Sequence, residues 1–167
     1  DSGGTLSVTG GAVTTTEDQT YGETLNLGAN TTLTARDVVI GSMGRGNYNF
    51  TVNVTGSSSE ITTAIAGSGS LTKSGSGTLR IAGAHTYTGA TAINGGTLVI
   101  ANDAPTTTSS GITGNGQIVI EPLSNSFSSE FDLSAWNLPS SLTGLTVGKA
   151  TNAIDMRIDE SININGP

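Results

Sequence analysis

Pairs of apolar residues two positions apart recur along this chain at an interval close to 20, and that double period limits the folds open to it. Leu6 and Val8, Leu25 and Leu27, Val38 and Ile40, and Phe50 with Val52 and Val54 all alternate with polar neighbours. The series continues through Leu79 and Ile81, Leu98 and Ile100, Ile118 and Ile120, Leu145 and Val147, Met156 and Ile158, and Ile162 and Ile164. Period two places alternate side chains on opposite faces of a strand. No stretch shows the 3.6 period of a helix. Leu79 precedes Leu98 by 19 positions and Leu98 precedes Ile118 by 20, which is the interval expected when each turn of a solenoid stacks its strands on the previous turn.

A β-sandwich also uses short strands with frequent turns. Its core generally needs aromatic bulk, and this chain has 4% aromatic residues and 34% hydrophobic residues overall. A narrow core of aliphatic columns fits that composition better. The expectation is an all-β, parallel β-solenoid spanning 1–167 as a single segment, with roughly eight turns of about 20 residues and a length of about 40 Å. Asn94-Gly95, Asn115-Gly116 and Asn165-Gly166 supply the positive φ angles of sharp corners. Charged residues make up only 11% of the chain, so the composition does not match the charge-rich pattern of disordered segments.

The phrase GSGSLTKSGSGTLRIAGAHTYTGATAINGGTLVIAN, residues 67–102, closely resembles the β-strand repeat of autotransporter passengers, with the general form LTKxGxGTLxLxGxNTYTGxTxxNxGTL. It departs from that form at His85, where the repeat usually has Asn, and at Arg80, on an outward strand position. Residues 18–41 and 144–167 resemble phrases of two-partner-secretion exoproteins similar to filamentous haemagglutinin. These resemblances imply a right-handed parallel β-helix, secreted through an outer-membrane partner and displayed on the cell surface. No Asn-Pro occurs, so the Asn-Pro-Asn-Gly motif of the amino-terminal secretion domain is missing and the resemblance places the segment in the shaft. The first residues, DSGGTLSV, lack the basic start and apolar run of a signal peptide, as expected of a processed or excised piece.

A net charge of −7 with only six Lys and Arg argues against nucleic acid as a partner, and no apolar run reaches the length of a membrane-inserted span. The absence of cysteine excludes disulfides and thiol-ligated metal. The carboxylate groupings are Glu17 with Asp18, Glu130 with Asp132, and Asp155, Asp159 and Glu160 beside Arg157. A polysaccharide-acting β-helix enzyme would need one of them in a cleft, and the alternating positions of Asp155, Arg157 and Asp159 instead suggest an exposed ion-pair row. His85, the lone histidine, reads as a surface loop side chain. Gly67, Gly69, Gly75 and Gly77 read as corner glycines, since no helix follows them as a phosphate loop requires. No catalytic residue, metal site or cofactor is expected.

Residues 122–139 break the rhythm and hold Phe127, Phe131 and Trp136, which suggests an irregular loop packed on the rod. If any residues bind a ligand, these three aromatics are the choice, because exposed rings stack on sugars, although burial against the core is the favoured expectation for them. Asn30, Asn49 and Asn53 lie in Asn-x-Thr sequons and are the candidate glycosylation sites. The expected function is a structural and adhesive shaft contacting host or matrix glycans or proteins. A Thr-rich ice-binding solenoid is the alternative binding reading, weakened because Thr pairs such as Thr86 and Thr88 do not recur at the turn interval. Replacing Ile100 with Asp is expected to be severely destabilising. The stretch from Ile162 to Pro167 reads as an unfinished turn, so end-to-end self-association is expected.

Overall fold

A computed structural model describes residues 4–105, 110–159 and 161–164. The chain winds into a parallel β-solenoid of about six turns. The first face is built from β1 (Thr5–Val8), β4 (Thr24–Leu27) and β7 (Met43–Gly44). The second holds six strands: β2 (Ala12–Thr14), β5 (Thr31–Ala35), β8 (Phe50–Val54), β10 (Leu71–Ser74), β12 (Thr91–Ile93) and β14 (Ile112–Gly114). The third holds seven: β3 (Gln19–Tyr21), β6 (Val38–Ile40), β9 (Ser59–Ile61), β11 (Thr78–Ala82), β13 (Thr97–Ala101), β15 (Gln117–Glu121) and β17 (Gly144–Val147). Every pairing in these three sheets is parallel and joins consecutive turns.

Alternation sets the core. In β11 and β13 the residues at positions two apart, Leu79 and Ile81, then Leu98 and Ile100, point inward, and Leu98 pairs with Leu79 while Ile100 pairs with Ile81. Ile118 and Ile120 extend both columns in β15. The longer column runs Tyr21, Ile40, Ile61, Ile81, Ile100, Ile120 and Val147. The expected inward set is therefore present and stacked.

The corner between the second and third faces is two to four residues long, and glycine lets successive turns close on one another there. Gly96 has φ +62°, and a Cβ placed on it would lie 2.1 Å from the carbonyl oxygen of Gly77 one turn earlier. The carbonyls of Gly56, Gly77 and Gly96 each accept a hydrogen bond from the next turn, from Thr78, Thr97 and Gln117 respectively.

The solenoid has about six turns rather than the eight expected, because of two stretches of chain: one turn carries about seven surplus residues, and the residues after β17 add no further rung. Gln117 pairs with Gly144, 27 positions on, where earlier turns take 18 to 21. The surplus forms an excursion over residues 122–143, wider than the irregular stretch marked in the sequence. It contains a short strand, β16 (Phe131–Asp132), and a single 3₁₀ turn, Ser134–Trp136. The second stretch follows β17 and contributes only β18 (Met156–Arg157), paired with β16. Met156 and Ile158 are exposed rather than inward. Ile162 and Ile164 are half-buried but form no strand, and the expected corner at Asn165-Gly166 lies outside the described residues.

Candidate functional site

Of the carboxylate groupings, Glu130 with Asp132 borders a surface depression, whereas Glu17, Asp18 and Asp159 are taken up in ion pairs. Arg36, one turn on, hydrogen bonds Asp18 through Nε at 2.8 Å and pairs with Glu17 at 3.1 Å. That bond holds the Asp18 carboxyl below its ordinary value, so it stays ionised and makes a poor general acid. Asp132 accepts from the backbone and hydroxyl of Ser134. Arg157, at the end of the two-residue strand β18, pairs with Asp159 just beyond it, which is one pair of the expected row and not the row itself, and Glu160 lies outside the described residues. Among the described residues no group of three or more His, Cys, Asp or Glu could hold a metal ion.

Arg80 points outward, as expected, and bridges turns by pairing with Glu60 on one side and Glu121 on the other. Asn30 and Asn49 are exposed, and Asn53 is half-buried. The Asn30 side-chain oxygen accepts from the Asn49 backbone N–H, and that of Asn49 accepts from Ser70 N–H, both at 2.9 Å. Two of the three sequon side chains thus form a ladder along one corner, with their oxygens committed to it.

Three polar side chains that sequence reasoning left on the surface, or passed over, lie inside the rod. Lys73 is fully buried. Its inward place follows from alternation, since it stands two positions after Leu71 in β10. Its ammonium donates to the carbonyls of Ser74 and Gly75 at 2.7 and 2.9 Å and of Gly95 at 3.2 Å, so it fastens the tight corner across two turns. Arg45 is 3% exposed and donates to the carbonyls of Ala66, Gly69 and Ser70, while its guanidinium stacks 5.1 Å from the centre of the Tyr87 ring.

Burial pushes the Lys73 amine down to about 8, whereas an unfolded lysine stays protonated to about 10.4. Above pH 8 the unfolded chain therefore binds more protons than the folded one, and stability rises with pH until the unfolded lysine also titrates. The three carbonyl acceptors favour the charged form and moderate the effect. Urea melts are expected to show a gain of about 1 kcal/mol between pH 7 and pH 9.5, absent in Lys73→Met. An equal pH slope in the variant would assign the effect to another group.

His85 corrects a reading from the sequence. It is 5% exposed rather than a surface side chain, because the segment between β11 and β12 folds inward to line the first face. Its Nδ1 accepts a hydrogen bond from Ile65 N–H at 3.1 Å, which places the proton of the neutral ring on Nε2. Burial lowers its basicity and keeps it neutral. Nε2 is buried without a partner among the described residues. Nearby, the Tyr87 hydroxyl and Thr91 Oγ1 lie 2.6 Å apart and share a hydrogen bond.

The aromatic cluster of the excursion is together but not exposed. Phe127 and Phe131 stack with centroids 5.0 Å apart, Trp136 tilts against Phe131 at 5.9 Å, and all three are buried against the core. Phe127 and Phe131 thus pack the excursion onto the rod rather than offer an open platform. Trp136 also walls a cavity of about 80 Å³ with His85, Tyr87, Ile100, Ile112 and Asn102.

On the outward face of the six-stranded sheet the Thr pairs do not recur at the turn interval, as expected, since Thr32 with Thr34 is followed by Thr51 with Asn53 and Thr72 with Ser74, but a broader polar pattern does. Thr32, Thr51 and Thr72 stand in register on consecutive turns, and beside them run Thr14, Thr34, Asn53 and Ser74. A single column of threonine, flanked by a mixed column of Thr, Asn and Ser, therefore recurs at the turn interval. The sequence obscured this because the paired positions carry Asn53 and Ser74 as well as Thr.

The geometry can be set beside known families. Residues 71–100 match the passenger-associated-transport-repeat family. No curated protein and no solved structure matches the chain. The repeat and the solenoid together fit a segment of an autotransporter-type β-helical passenger, and the repeat points to a secreted or surface protein. The match runs from β10 through most of β13, about a turn and a half, and takes in Lys73, Gly75, Gly77, His85, Tyr87, Thr91 and Gly96. Several of these are the residues that close corners or fill the first face, so the repeat encodes how one turn is seated on the next.

Proposed function

We propose that this segment is a non-catalytic shaft of a secreted surface adhesin, exported through an outer-membrane partner, whose hydroxyl face attaches to host or matrix glycans or to sister cells. The in-register columns of Thr32, Thr51 and Thr72 with Thr34, Asn53 and Ser74 carry this reading. Neighbouring turns set these groups about 4.8 Å apart, and alternate residues of one strand set them about 6.6 Å apart. Each contact to a sugar hydroxyl is weak, and a repeated row lets several form at once.

Retention of the 167-residue chain on polysaccharide-coated beads tests the proposal. The double variant Thr51→Lys with Thr72→Lys, both on the outward face, is expected to keep the melting temperature and reduce retention about tenfold. Undiminished retention would remove this face from the attachment mechanism. The same columns favour ice binding as a second reading, and slowed ice recrystallisation that the double variant loses, without polysaccharide retention, would favour it over the first.

A further inference from the structure

The cavity beside His85 has the make-up of a small ligand site. Three isoleucines, Ile81, Ile100 and Ile112, and the Trp136 ring give it an apolar wall. Its mouth carries Ser110, Ala135 and Asn137, all exposed, and Asn102 at half burial. With Nδ1 accepting from Ile65 N–H, Nε2 of this cavity-lining His85 ring is a buried N–H donor that makes no well-formed hydrogen bond, its ring feeling the Ile81 backbone only weakly. Leaving such a donor unmatched costs roughly 1–3 kcal/mol, so a ligand bringing one acceptor gains by supplying it.

Size and charge narrow the ligand. A space of about 80 Å³ is too small for a whole hexose ring but takes a planar group of about four heavy atoms. Among the described residues no Asp, Glu, Lys or Arg lines it. An adjoining depression of about 320 Å³ shares Pro105, Ala135 and Trp136 and adds Glu130 and Asp132, carboxylates that accept sugar hydroxyls and repel an anionic sugar. We infer that the cavity receives the acetamido group of a neutral N-acetylated sugar, its carbonyl accepting from His85 Nε2–H and its methyl packed on Trp136 and the isoleucines, with the sugar ring lying over Ala135 toward the second depression. This rests on the adhesive reading and gives it a second, specific contact apart from the threonine face.

Trp136 is the single tryptophan of the chain, so its fluorescence reports on this cavity directly. The 167-residue chain is titrated with the methyl glycosides of N-acetylglucosamine and N-acetylgalactosamine, and with those of glucose and galactose as controls. A saturable emission change is expected in the millimolar range, about −4 kcal/mol, for at least one acetamido sugar and neither control. His85→Asn retains a side-chain acceptor for Ile65 N–H but lacks the reach of Nε2, and Ala135→Phe fills the mouth from an exposed position. Each is expected to weaken binding at least tenfold. A flat titration, an equal response to the acetamido-free sugars, or full binding in Ala135→Phe would overturn the assignment. Any of these with bead retention still lost in the threonine double variant would discard the cavity and leave the shaft reading standing.

Discussion

An aspartate in place of Ile61 is expected to abolish the cooperative thermal transition or lower its midpoint by at least 10 °C. Ile61 is fully buried midway along the longest inward column, paired with Ile40 before it and Ile81 after it. The substitution removes apolar burial worth about 1.5–3 kcal/mol and places a carboxylate where no basic group of the column can meet it. The group must be buried charged or protonated against its ordinary preference, so a total loss of about 4–5 kcal/mol is expected. Ile61→Val, losing one methyl, should cost about 1 kcal/mol. Circular dichroism melts of the two variants beside the parent separate a charge effect from a packing effect. Similar midpoints for Asp and Val would mean that this column does not hold the rod together. Ile100, the sequence-based choice for the same experiment, is the weaker test because it also borders the cavity and is 9% exposed.

The second large effect is expected at a corner. Gly96→Val faces a φ of +62° that a β-branched residue adopts only under strain, and its Cβ would sit 2.1 Å from the Gly77 carbonyl oxygen. That oxygen accepts the Thr97 N–H at 3.1 Å, so the side chain would intrude on the bond that joins the two turns. Strain of about 1–3 kcal/mol adds to a lost or lengthened hydrogen bond, for an expected total of about 3 kcal/mol or more. Gly10→Val is the control, since no atom lies within 4 Å of a Cβ built at that position. Chemical denaturation of both should show the loss at position 96 alone. Equal midpoints would show that the corner can widen at little cost.

Much of this architecture was legible in the residues. Leu79, Ile81, Leu98, Ile100, Ile118 and Ile120 announced both the face they occupy and the interval at which they stack, since a buried column leaves the same pattern in every turn. The turn count was not legible, because the path from Pro122 to Thr143 takes about seven residues more than a regular turn and the chain after Val147 adds no further rung, and irregular paths leave no periodic mark. His85 was misjudged, and Lys73 passed over, for a different reason. Polar type suggested solvent, while position decided burial, and the acceptors and donors that make their burial tolerable are backbone groups of other turns. Alternation from Leu71 could have marked Lys73 as inward. Nothing comparable marked His85, which sits in a segment without strand period. The aromatic cluster was correctly gathered and correctly read as packed on the rod, and the structure folds Phe127, Phe131 and Trp136 against the core.

The excursion over residues 122–143 has a consequence for how such a molecule can diversify. Its turn is 27 residues long instead of about 20, yet Ile118 still meets Leu145 and Ile120 still meets Val147 in unbroken register. Height is thus counted in rungs, whereas girth is set by how far the chain wanders before it returns. Extra residues can be accepted at one side without altering the spacing of anything above or below them. A lineage of these chains can therefore elaborate its sides and adjust its length as separate traits.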